Sequence, residues 1–444
     1  MSDYSQHFQV WGRDLGGHAS NYLSGLLGTQ RRKNIERIYG DIPESNYQGM
    51  QQFLSDSPWK QEALMAQVAG EVDGLLGGHR HSALILDESA FVKKGDRSVG
   101  VQRQYCGRLG KTENCQLGVF ACLGRGERSA IVDFRLFLPE SWASDAARCE
   151  QAGVPESERR HRSKQELALE MVRVAREREL RFRWVLADAA YGGSVEFARE
   201  VASLGYYYML DAAGSTSVWD GAPEPLPPDQ TGRGGRTRTR WRAGNPNAKR
   251  RRLETLVKER FASEAREITI RQTTQGPLRA KVLILEVWLW EEGSAEAERR
   301  TVVARQYEEG KIKISWTNAP VDTSAEELGY MQAQRYWIER SLEDGKSELG
   351  MAQYQVRKWR GWHHHMALVA LGMLFVLKER VAHAQTAPLL SARDVVELLN
   401  YYLPRKGGTE QEVLDELERR HEQRRQAAKN HAERRQRRDK LITK

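Results

Sequence analysis

The chain has 444 residues, which is enough for two or three domains, and 40% of them are hydrophobic, so a sizeable core can form. Its 69 Lys and Arg against 60 Asp and Glu give a net charge of +9, which predicts an acidic partner such as nucleic acid. No apolar run reaches the roughly 20 residues of a membrane span. Cys106, Cys115, Cys122 and Cys149 form no C-x-x-C pair, so we expect reduced thiols in a cytosolic protein and neither a zinc site nor a disulfide framework. The N-terminus has no basic segment followed by an apolar stretch, so no secretory signal is expected.

Residues 1–78 are predicted to form an N-terminal helical domain. Apolar residues recur at helical spacing over residues 21–40, beside the basic cluster Arg31, Arg32 and Lys33. A small helical unit with a basic patch fits DNA binding. It fits a packing or dimerisation role equally well.

Residues 79–212 are predicted to form the first part of an α/β core. Short apolar and β-branched runs predict strands, and a longer amphipathic run predicts the first helix. The predicted elements, in chain order, are strands at 83–86, 99–105, 116–123 and 130–138, a helix at 163–181, a strand at 182–188, a helix at 194–205 and a strand at 206–211. Consecutive strands followed by a strand–helix alternation predict a mixed sheet with helices packed on it.

Residues 213–310 are predicted to form a β-rich insertion that carries a basic arm. The arm, residues 231–252, holds nine basic residues and no acidic one. Arg236, Arg238, Arg240 and Arg242 recur at every second position, with Trp241 between the last two. On an extended backbone these arginines point one way and offer a row of phosphate contacts, whereas a solvated loop is the alternative.

Two tryptophans of the insertion, Trp288 and Trp290, lie in a predicted strand. An aromatic residue there could stack on a flipped base, but packing in the core is the favoured interpretation.

Residues 311–385 are predicted to return to the core, and residues 386–444 to form a charged helical tail. Residues 331–344 contain no Gly or Pro and predict one helix, and residues 366–377 predict a buried one. Arg335, Glu339 and Lys346 are four and seven residues apart, so they share a helical face. A solvated face with ion pairs is the common alternative. His363, His364 and His365 are consecutive and point in different directions, so no metal site is expected of them.

Three acidic residues have the positions that phosphodiester chemistry requires. Asp87 and Asp188 end the apolar runs at 83–86 and 184–187, and Glu339 lies on the helix. Two divalent ions about 4 Å apart activate an attacking oxygen and stabilise a leaving one. Mg²⁺ takes only one or two protein carboxylates per ion, so three acids suffice for two ions. Glu343, one turn beyond Glu339, is the rival third ligand.

These motifs resemble those of bacterial insertion-sequence DDE transposases. Their C-terminal signature places Tyr, Arg, Glu and Lys at fixed spacing, and Arg335, Glu339 and Lys346 match it in RYWIERSLEDGK. Gln332 stands at the Tyr position, with Tyr330 two residues earlier. The segments that resemble the corresponding blocks of the insertion-sequence 701 group are residues 84–120, 184–193 and 350–368. The resemblance covers roughly residues 20–380.

The resemblance implies an RNase H-like mixed sheet with flanking helices, interrupted by the β-rich insertion. It implies that Asp87, Asp188 and Glu339 are catalytic ligands of two Mg²⁺ ions, for which Mn²⁺ can substitute. It also implies that Arg335 and Lys346 contact DNA phosphates. Lys93 and Lys94 are further candidates for the DNA channel, or simply turn residues.

The expected function is that of a transposase on double-stranded DNA. It would bind the terminal inverted repeats as a homodimer, cleave at the element ends and join the 3′-OH ends to target DNA, in the bacterial cytoplasm at the nucleoid. The alternatives are an RNase H-like nuclease without strand transfer and a non-catalytic DNA-binding protein derived from a transposase. The three acids argue against the latter. No Walker A loop is present, so no nucleotide cofactor is expected.

Overall fold

A computed structural model describes most of the chain as an α/β structure. The described residues are 1–28, 32–228, 240–273, 276–291, 294–308, 310–399, 401–403 and 405, with single positions at 418, 422, 425, 426, 429 and 433. The helices are α1 (Gly16–Leu27), α2 (Ile35–Asp41), α3 (Tyr47–Ser55), α4 (Gln61–Leu76), α5 (Glu140–Ala143), α6 (Ala146–Gln151), α7 (Lys164–Glu177), α8 (Ala189–Gly192), α9 (Val195–Ser203), α10 (Leu253–Glu264), α11 (Ala325–Gln334), α12 (Tyr336–Glu348), α13 (Trp359–Ala382) and α14 (Ala392–Leu399).

The strands follow the predicted order closely. They are β1 (Gln9–Val10), β2 (Arg13–Asp14), β3 (Ala83–Val92), β4 (Gln102–Cys106), β5 (Lys111–Arg125), β6 (Arg128–Leu136), β7 (Trp184–Ala187), β8 (Tyr207–Asp211), β9 (Ser217–Trp219), β10 (Pro225–Leu226), β11 (Arg242–Ala243), β12 (Arg250–Arg252), β13 (Arg266–Thr273), β14 (Gly276–Leu289), β15 (Glu298–Gln306) and β16 (Lys313–Thr317). Short 3-10 helices occupy Ser2–Phe8, Gly107–Leu109 and Glu156–Glu158.

One large mixed sheet organises the molecule. Its central part has the order β6-β5-β3-β7-β8, in which β6, β5 and β3 are antiparallel and β3, β7 and β8 are parallel. This arrangement is consistent with the RNase H-like core that the sequence predicts. The helices α7 and α9 pack together against this part, and α4, α12 and α13 also cover it.

The first predicted strand, at residues 83–86, is too short at its carboxyl end. β3 continues to Val92, five residues beyond Asp87, because its antiparallel neighbour β5 pairs with it over the whole length. Its parallel neighbour β7 pairs with it only as far as Ile85. Asp87 therefore lies inside a strand, at the level where one of its two neighbours stops.

The predicted insertion extends the same sheet. β8 pairs with β16, β16 with β15, and β15 with β14, all antiparallel. The helix α11 packs on β13, β14 and β15, whereas α12 packs on β3, β5 and β6. Along the chain, α11 therefore covers the strands of the insertion, and α12, which follows it, covers those of the core.

The N-terminal helices share one hydrophobic core with the sheet. α4 packs against β6 and α13, and α1 and α3 also contact α13. Lys33, which the sequence places in a basic surface cluster, is buried. Its ammonium donates to the carbonyl oxygens of Leu26, at 2.7 Å, and Glu348. Lys33 therefore joins the N-terminal helices to α12, and Arg32 alone of the described cluster is exposed.

Three consecutive histidines of α13 are buried and bonded to different parts of the chain. Nδ1 of His365 lies 2.9 Å from the Tyr22 hydroxyl, and the two ring nitrogens of His364 each lie 2.9 Å from a carbonyl oxygen, of Leu54 and Trp59. Nδ1 of His363 lies 2.9 Å from the carbonyl oxygen of Trp359. The three rings thus point to different partners, as predicted. His364 and His365 connect α13 to the N-terminal helical segment, whereas His363 bonds within α13. Within the described residues no helix is long and apolar enough to cross a bilayer.

Burial of these histidines predicts acid sensitivity. It lowers the pKa of His364 to about 4 and the pKa of His363 and His365 to about 3. The unfolded chain takes up protons near pH 6.5, which the folded chain resists, so stability should fall as the pH drops from about 6.5 towards 4. Each histidine contributes at most about 1.4 kcal/mol per pH unit. Urea unfolding at pH 5, 6 and 7 measures this slope.

The variant His364→Gln removes one titrating ring. It should reduce the slope of the free energy of unfolding against pH by up to about 1.4 kcal/mol per pH unit, which corresponds to one proton. His383→Gln is the matched control, because His383 lies exposed at the end of the same helix. An unchanged slope in the His364 variant would show that this histidine does not resist protonation.

Candidate active site

Asp87, Asp188 and Asp211 lie at the same level of three adjacent parallel strands. β3 pairs with β7, and β7 with β8, in a register that runs to one or two residues before these aspartates. Continuing that register aligns the three carboxylates along the carboxyl edge of the sheet. The residues just before them are buried apolar side chains, so the aspartates are the first charged groups that this edge presents.

Asp188 is fixed by the short helix that follows it. It is the N-cap of α8, and its Oδ1 accepts a hydrogen bond of 2.9 Å from the N–H of Ala190. Gly192 ends α8 against the end of β8, where a Cβ atom would collide with the carbonyl oxygen of Asp211. The glycine therefore permits a close approach of two backbones, and this approach sets Asp188 beside Asp211.

Asp87 is the buried member of the site. Its side chain is 15% exposed, and its Oδ1 accepts a 2.8 Å hydrogen bond from the N–H of Glu88. Burial raises the pKa of Asp87 to about 7, and the negative charges of Asp188 and Glu339 add to the rise, while Arg335 and the Glu88 N–H oppose it. The three predicted acids therefore interact electrostatically.

The helix predicted over residues 331–344 is broken at Arg335. α11 ends at Gln334, α12 begins at Tyr336, and Arg335 between them keeps right-handed helical backbone angles. No Gly or Pro marks this junction in the sequence. The two helices separate where their packing changes, since α11 packs on the insertion and α12 on the core. The predicted face survives the break, since Arg335 and Glu339 form an ion pair of 2.6 Å.

Arg335 binds three carboxylates at once. Its guanidinium lies 2.9 Å (Nε) from Asp211, 2.6 Å (Nη2) from Glu339 and 3.7 Å (Nη1) from Asp87. The contact to Asp211 is an ion pair rather than an aligned hydrogen bond, because the buried Nε has no hydrogen-bond partner among the described residues. One cation thus offsets the repulsion among acids that come from two strands and a helix.

Two families match the sequence over more than half of its length each. They are described as a DDE superfamily endonuclease, over residues 8–277, and as a transposase DDE domain, over residues 154–403. The chain belongs to the DDE transposases. It is also 30% identical over 199 residues to a protein of Microchaete diplosiphon named "Probable transposase for insertion sequence element IS701".

That alignment covers 44% of the chain and 48% of the relative, so the chain spans about half the length of the curated relative it matches. The resemblance to insertion-sequence transposases of the 701 type is confirmed.

Asp211 is a site residue that the sequence prediction missed. It ends a predicted strand in YYYMLD, as Asp188 ends its strand in WVLAD. Two strands that both follow a helix and both end in Asp are candidates for adjacent parallel positions. This shared pattern of helix, strand and terminal Asp is visible in the sequence. Asp211 was nevertheless not predicted, because it lies outside the segments that resemble the family's motifs.

A second group that the prediction missed adjoins Asp87. Burial raises the pKa of the Tyr191 hydroxyl, and the charges of Glu88, Asp87 and Asp188 raise it further. Glu88 itself pairs with Lys164 at 2.6 Å. Lys164 thus places a second cation one residue from Asp87.

Gln332, at the Tyr position of the signature, is buried and forms hydrogen bonds within the protein. Its amide donates 2.9 Å hydrogen bonds to the Ser315 hydroxyl and the Val303 carbonyl oxygen. Its Oε1 accepts a 2.9 Å bond from Nε of the buried Arg305. In this chain Gln332 therefore helps to hold Asp211 in place, because Ser315 in turn donates a 2.8 Å hydrogen bond to Asp211.

The rival acid Glu343 lies away from the site. Its side chain is exposed and pairs with Arg340 at 3.5 Å. Glu339, by contrast, shares the guanidinium of Arg335 with Asp87. Glu339 is the helical carboxylate that faces Asp87.

The candidate lysines occupy different environments. The ammonium of Lys93 is 3.4 Å from the centroid of the Tyr354 ring, and burial lowers the pKa of Lys93 to about 7. The ammonium of Lys346 is 6.0 Å from the centroid of the Phe91 ring, which packs on Tyr354. Lys94 is exposed. The structure therefore brings Lys93 and Lys346 onto neighbouring rings and leaves Lys94 in solvent.

The basic arm is described from Arg240 onward, so Arg236 and Arg238 lie outside the described residues. Arg240 and Arg242 are exposed, and Trp241 between them is partly buried. Trp241 packs against a cluster whose buried members include Trp219 and Trp290. At the described end of the arm, two exposed arginines flank a partly buried tryptophan. Trp290, with Trp288 beside it, belongs to the packing of the insertion.

The donor set of the site suits a divalent metal, which enzymes of this superfamily generally use. Asp87, Asp188 and Glu339 offer the carboxylate oxygens that Mg²⁺ prefers. Burial raises the pKa of Asp87, the charges of Asp188 and Glu339 add to the rise, and a nearby cation opposes it. Arg335 supplies that charge here, and within the described part of the chain no three His, Cys, Asp or Glu side chains are arranged to hold one ion together.

The buried network of Gln332 predicts a stability effect. Gln332→Leu removes the acceptor of the buried Arg305 guanidinium and the donor to Ser315. Leaving a buried charged donor unpaired should lower the free energy of unfolding by about 2–3 kcal/mol, measured by urea denaturation. The control is Gln51→Leu on the exposed face of α3. Equal losses in both variants would mean that the network adds nothing to stability.

Proposed function

We propose that the chain is a DNA transposase that cleaves at the ends of its element and joins the freed 3′-OH ends to target DNA. The observation that carries the proposal is the convergence of Asp87 and Asp188, at the edge of the parallel strands, with Glu339 on α12. The guanidinium of Arg335 contacts the carboxylates of both Asp87 and Glu339, and the register of β3 and β7 brings Asp188 level with Asp87. The family membership of the chain supports the same reaction class.

Two Mg²⁺ ions, or Mn²⁺ in their place, would be held by Asp87, Asp188 and Glu339 and would supply activation of the attacking oxygen and stabilisation of the leaving oxygen. Asp87 must be ionised to act as a ligand. Because its pKa is raised to about 7, the ligand form is favoured as the pH rises above neutrality.

The cations beside the acids would orient the DNA. The guanidinium of Arg335 lies among the acids, with Nε beside Asp211, and a phosphate oxygen can accept from its Nη1 and Nη2 N–H groups. Lys346 follows on the same helix, and Lys93 lies on the adjoining aromatic rings. These residues would hold the strand while the acids carry the reaction.

The substrate we propose is double-stranded DNA, both as terminal inverted repeats and as target. Two element ends must be joined in one event, so we propose a homodimer on DNA. The setting would be the bacterial cytoplasm at the nucleoid.

The assignment of the acids is tested by charge-removing substitutions. Asp188→Asn and Glu339→Gln should each lower the rate of end cleavage in Mg²⁺ at least about 100-fold, because each removes a ligand of the reacting centre. Glu343→Gln is the matched control on the same helix and should cleave like the parent. Cleavage at the parental rate by either site variant would refute the assignment.

Strand transfer is tested separately with a pre-cut donor that ends in a 3′-OH. Joined products identify a transposase. Cleavage without joining identifies an RNase H-like nuclease, and specific binding to the ends without either reaction identifies a DNA-binding protein derived from a transposase.

The basic arm is tested through the salt dependence of DNA binding. Replacing Arg236, Arg238, Arg240 and Arg242 with Ala should weaken binding. It should also reduce the slope of log K against log salt concentration by about 0.9 for each DNA phosphate that the variant no longer neutralises.

A charge-matched control replaces arginines that already pair with glutamates, namely Arg173, Arg260, Arg279 and Arg393. If the arm variant keeps the parental salt slope, the arm is a solvated loop.

A further inference from the structure

The guanidinium of Arg335 is buried, with only 13% of the side chain exposed, among carboxylates of two kinds. Glu339 and Asp87 are the acids to which the proposed function assigns metal ions. Asp211 lies outside the matched signature, yet its carboxylate is 2.9 Å from Nε of Arg335. One cation is therefore shared between two proposed metal ligands and one acid without an assigned role.

Asp211 is held in place independently of Arg335. It ends β8, and its Oδ1 accepts a 2.8 Å hydrogen bond from the hydroxyl of Ser315, which faces it across the pair β8–β16. Ser315 is itself buried and accepts a 2.9 Å bond from Gln332. The carboxylate of Asp211 is thus held by a second, buried partner, whereas the side chain of Glu339 is 47% exposed.

A divalent cation that binds Asp87 and Glu339 takes two of the three partners of Arg335. A buried guanidinium without a counter-ion is costly, and it would also repel the incoming cation. Asp211 removes both problems because it keeps its contact with Nε and offsets the charge of the guanidinium.

We propose that Asp211 is a positioning residue for Arg335. Arg335 lies between Asp87 and Glu339. If these two acids held a divalent cation, Asp211 would retain Arg335 beside the site, and the other N–H groups of the guanidinium would be available to a DNA phosphate. This inference rests on the metal site of the proposed function.

Titration of the full-length protein with Mn²⁺, in the absence of DNA and followed by calorimetry, tests the inference. Asp211→Asn should weaken Mn²⁺ binding about tenfold, because the displaced guanidinium then lacks a counter-ion. Arg335→Gln removes the competing cation and should tighten binding. In the Arg335→Gln background, Asp211→Asn should have little further effect, since its role runs through the guanidinium.

The double variant separates positioning from direct ligation. If Asp211→Asn weakens Mn²⁺ binding equally with and without Arg335, Asp211 is a metal ligand or a general source of charge, and the inference is overturned. Asp220→Asn is the matched control, because Asp220 is also a partly buried aspartate, 20% exposed, paired with an arginine in the insertion. It should bind Mn²⁺ like the parent.

Failure of the metal site is distinguishable from failure of the inference. If the parent binds no Mn²⁺, or if Asp188→Asn and Glu339→Gln bind it like the parent, the proposed function is at fault. If those variants weaken binding and Asp211→Asn does not, only the inference fails.

Circular dichroism checks that each variant is folded. Should Asp211→Asn not fold, Ser315→Ala removes the hydroxyl that fixes Asp211 and should weaken binding in the same direction. Should Arg335→Gln not fold, Arg335→Lys is used instead. It should also tighten Mn²⁺ binding, because one ammonium cannot span three carboxylates. Parental binding by both replacements would overturn the inference.

Discussion

The acid site depends on one shared positive charge. Asp87, Asp211 and Glu339 come from two strands and a helix, and like charges that close to one another repel. The guanidinium of Arg335 contacts all three, and its planar fork is suited to several carboxylates at once. Arg335 also stands between α11, which packs on the insertion, and α12, which packs on the core. The residue that balances the charges is therefore also the joint between two parts of the fold.

The sheet supplies the other constraint. Parallel pairing of β3, β7 and β8 sets three aspartates at one level, and the antiparallel pairing of β3 with β5 continues the strand beyond that level. Gly192 lets α8 approach the end of β8, so the spacing of Asp188 and Asp211 is set by backbone contact. Small changes of register would separate these acids, because a shift of one residue turns every side chain to the opposite face.

Local patterns predicted most elements and the principal acids. Asp87 and Asp188 follow short apolar runs, and Glu339 shares a face with Arg335, so local sequence was enough to select them as candidates. Asp211 and Tyr191 were not predicted, because their closeness to the other acids depends on which strands become neighbours. The junction at Arg335 escaped for a similar reason, since no helix-breaking residue marks it and tertiary packing alone separates α11 from α12. Lys33 was assigned to a surface patch because local sequence does not reveal that two helix ends enclose it.

The single sheet that includes core and insertion limits how such proteins can be recombined. In sequence the insertion ends before β16, yet β16 lies between β15 and β8 and pairs with both. A chimera cut at residues 213 and 310 would place a foreign edge strand against β16, and α11 would meet unfamiliar side chains on the strands it covers. Successful exchange between relatives therefore requires junctions after α11, so that the strand and helix travel with the segment they support.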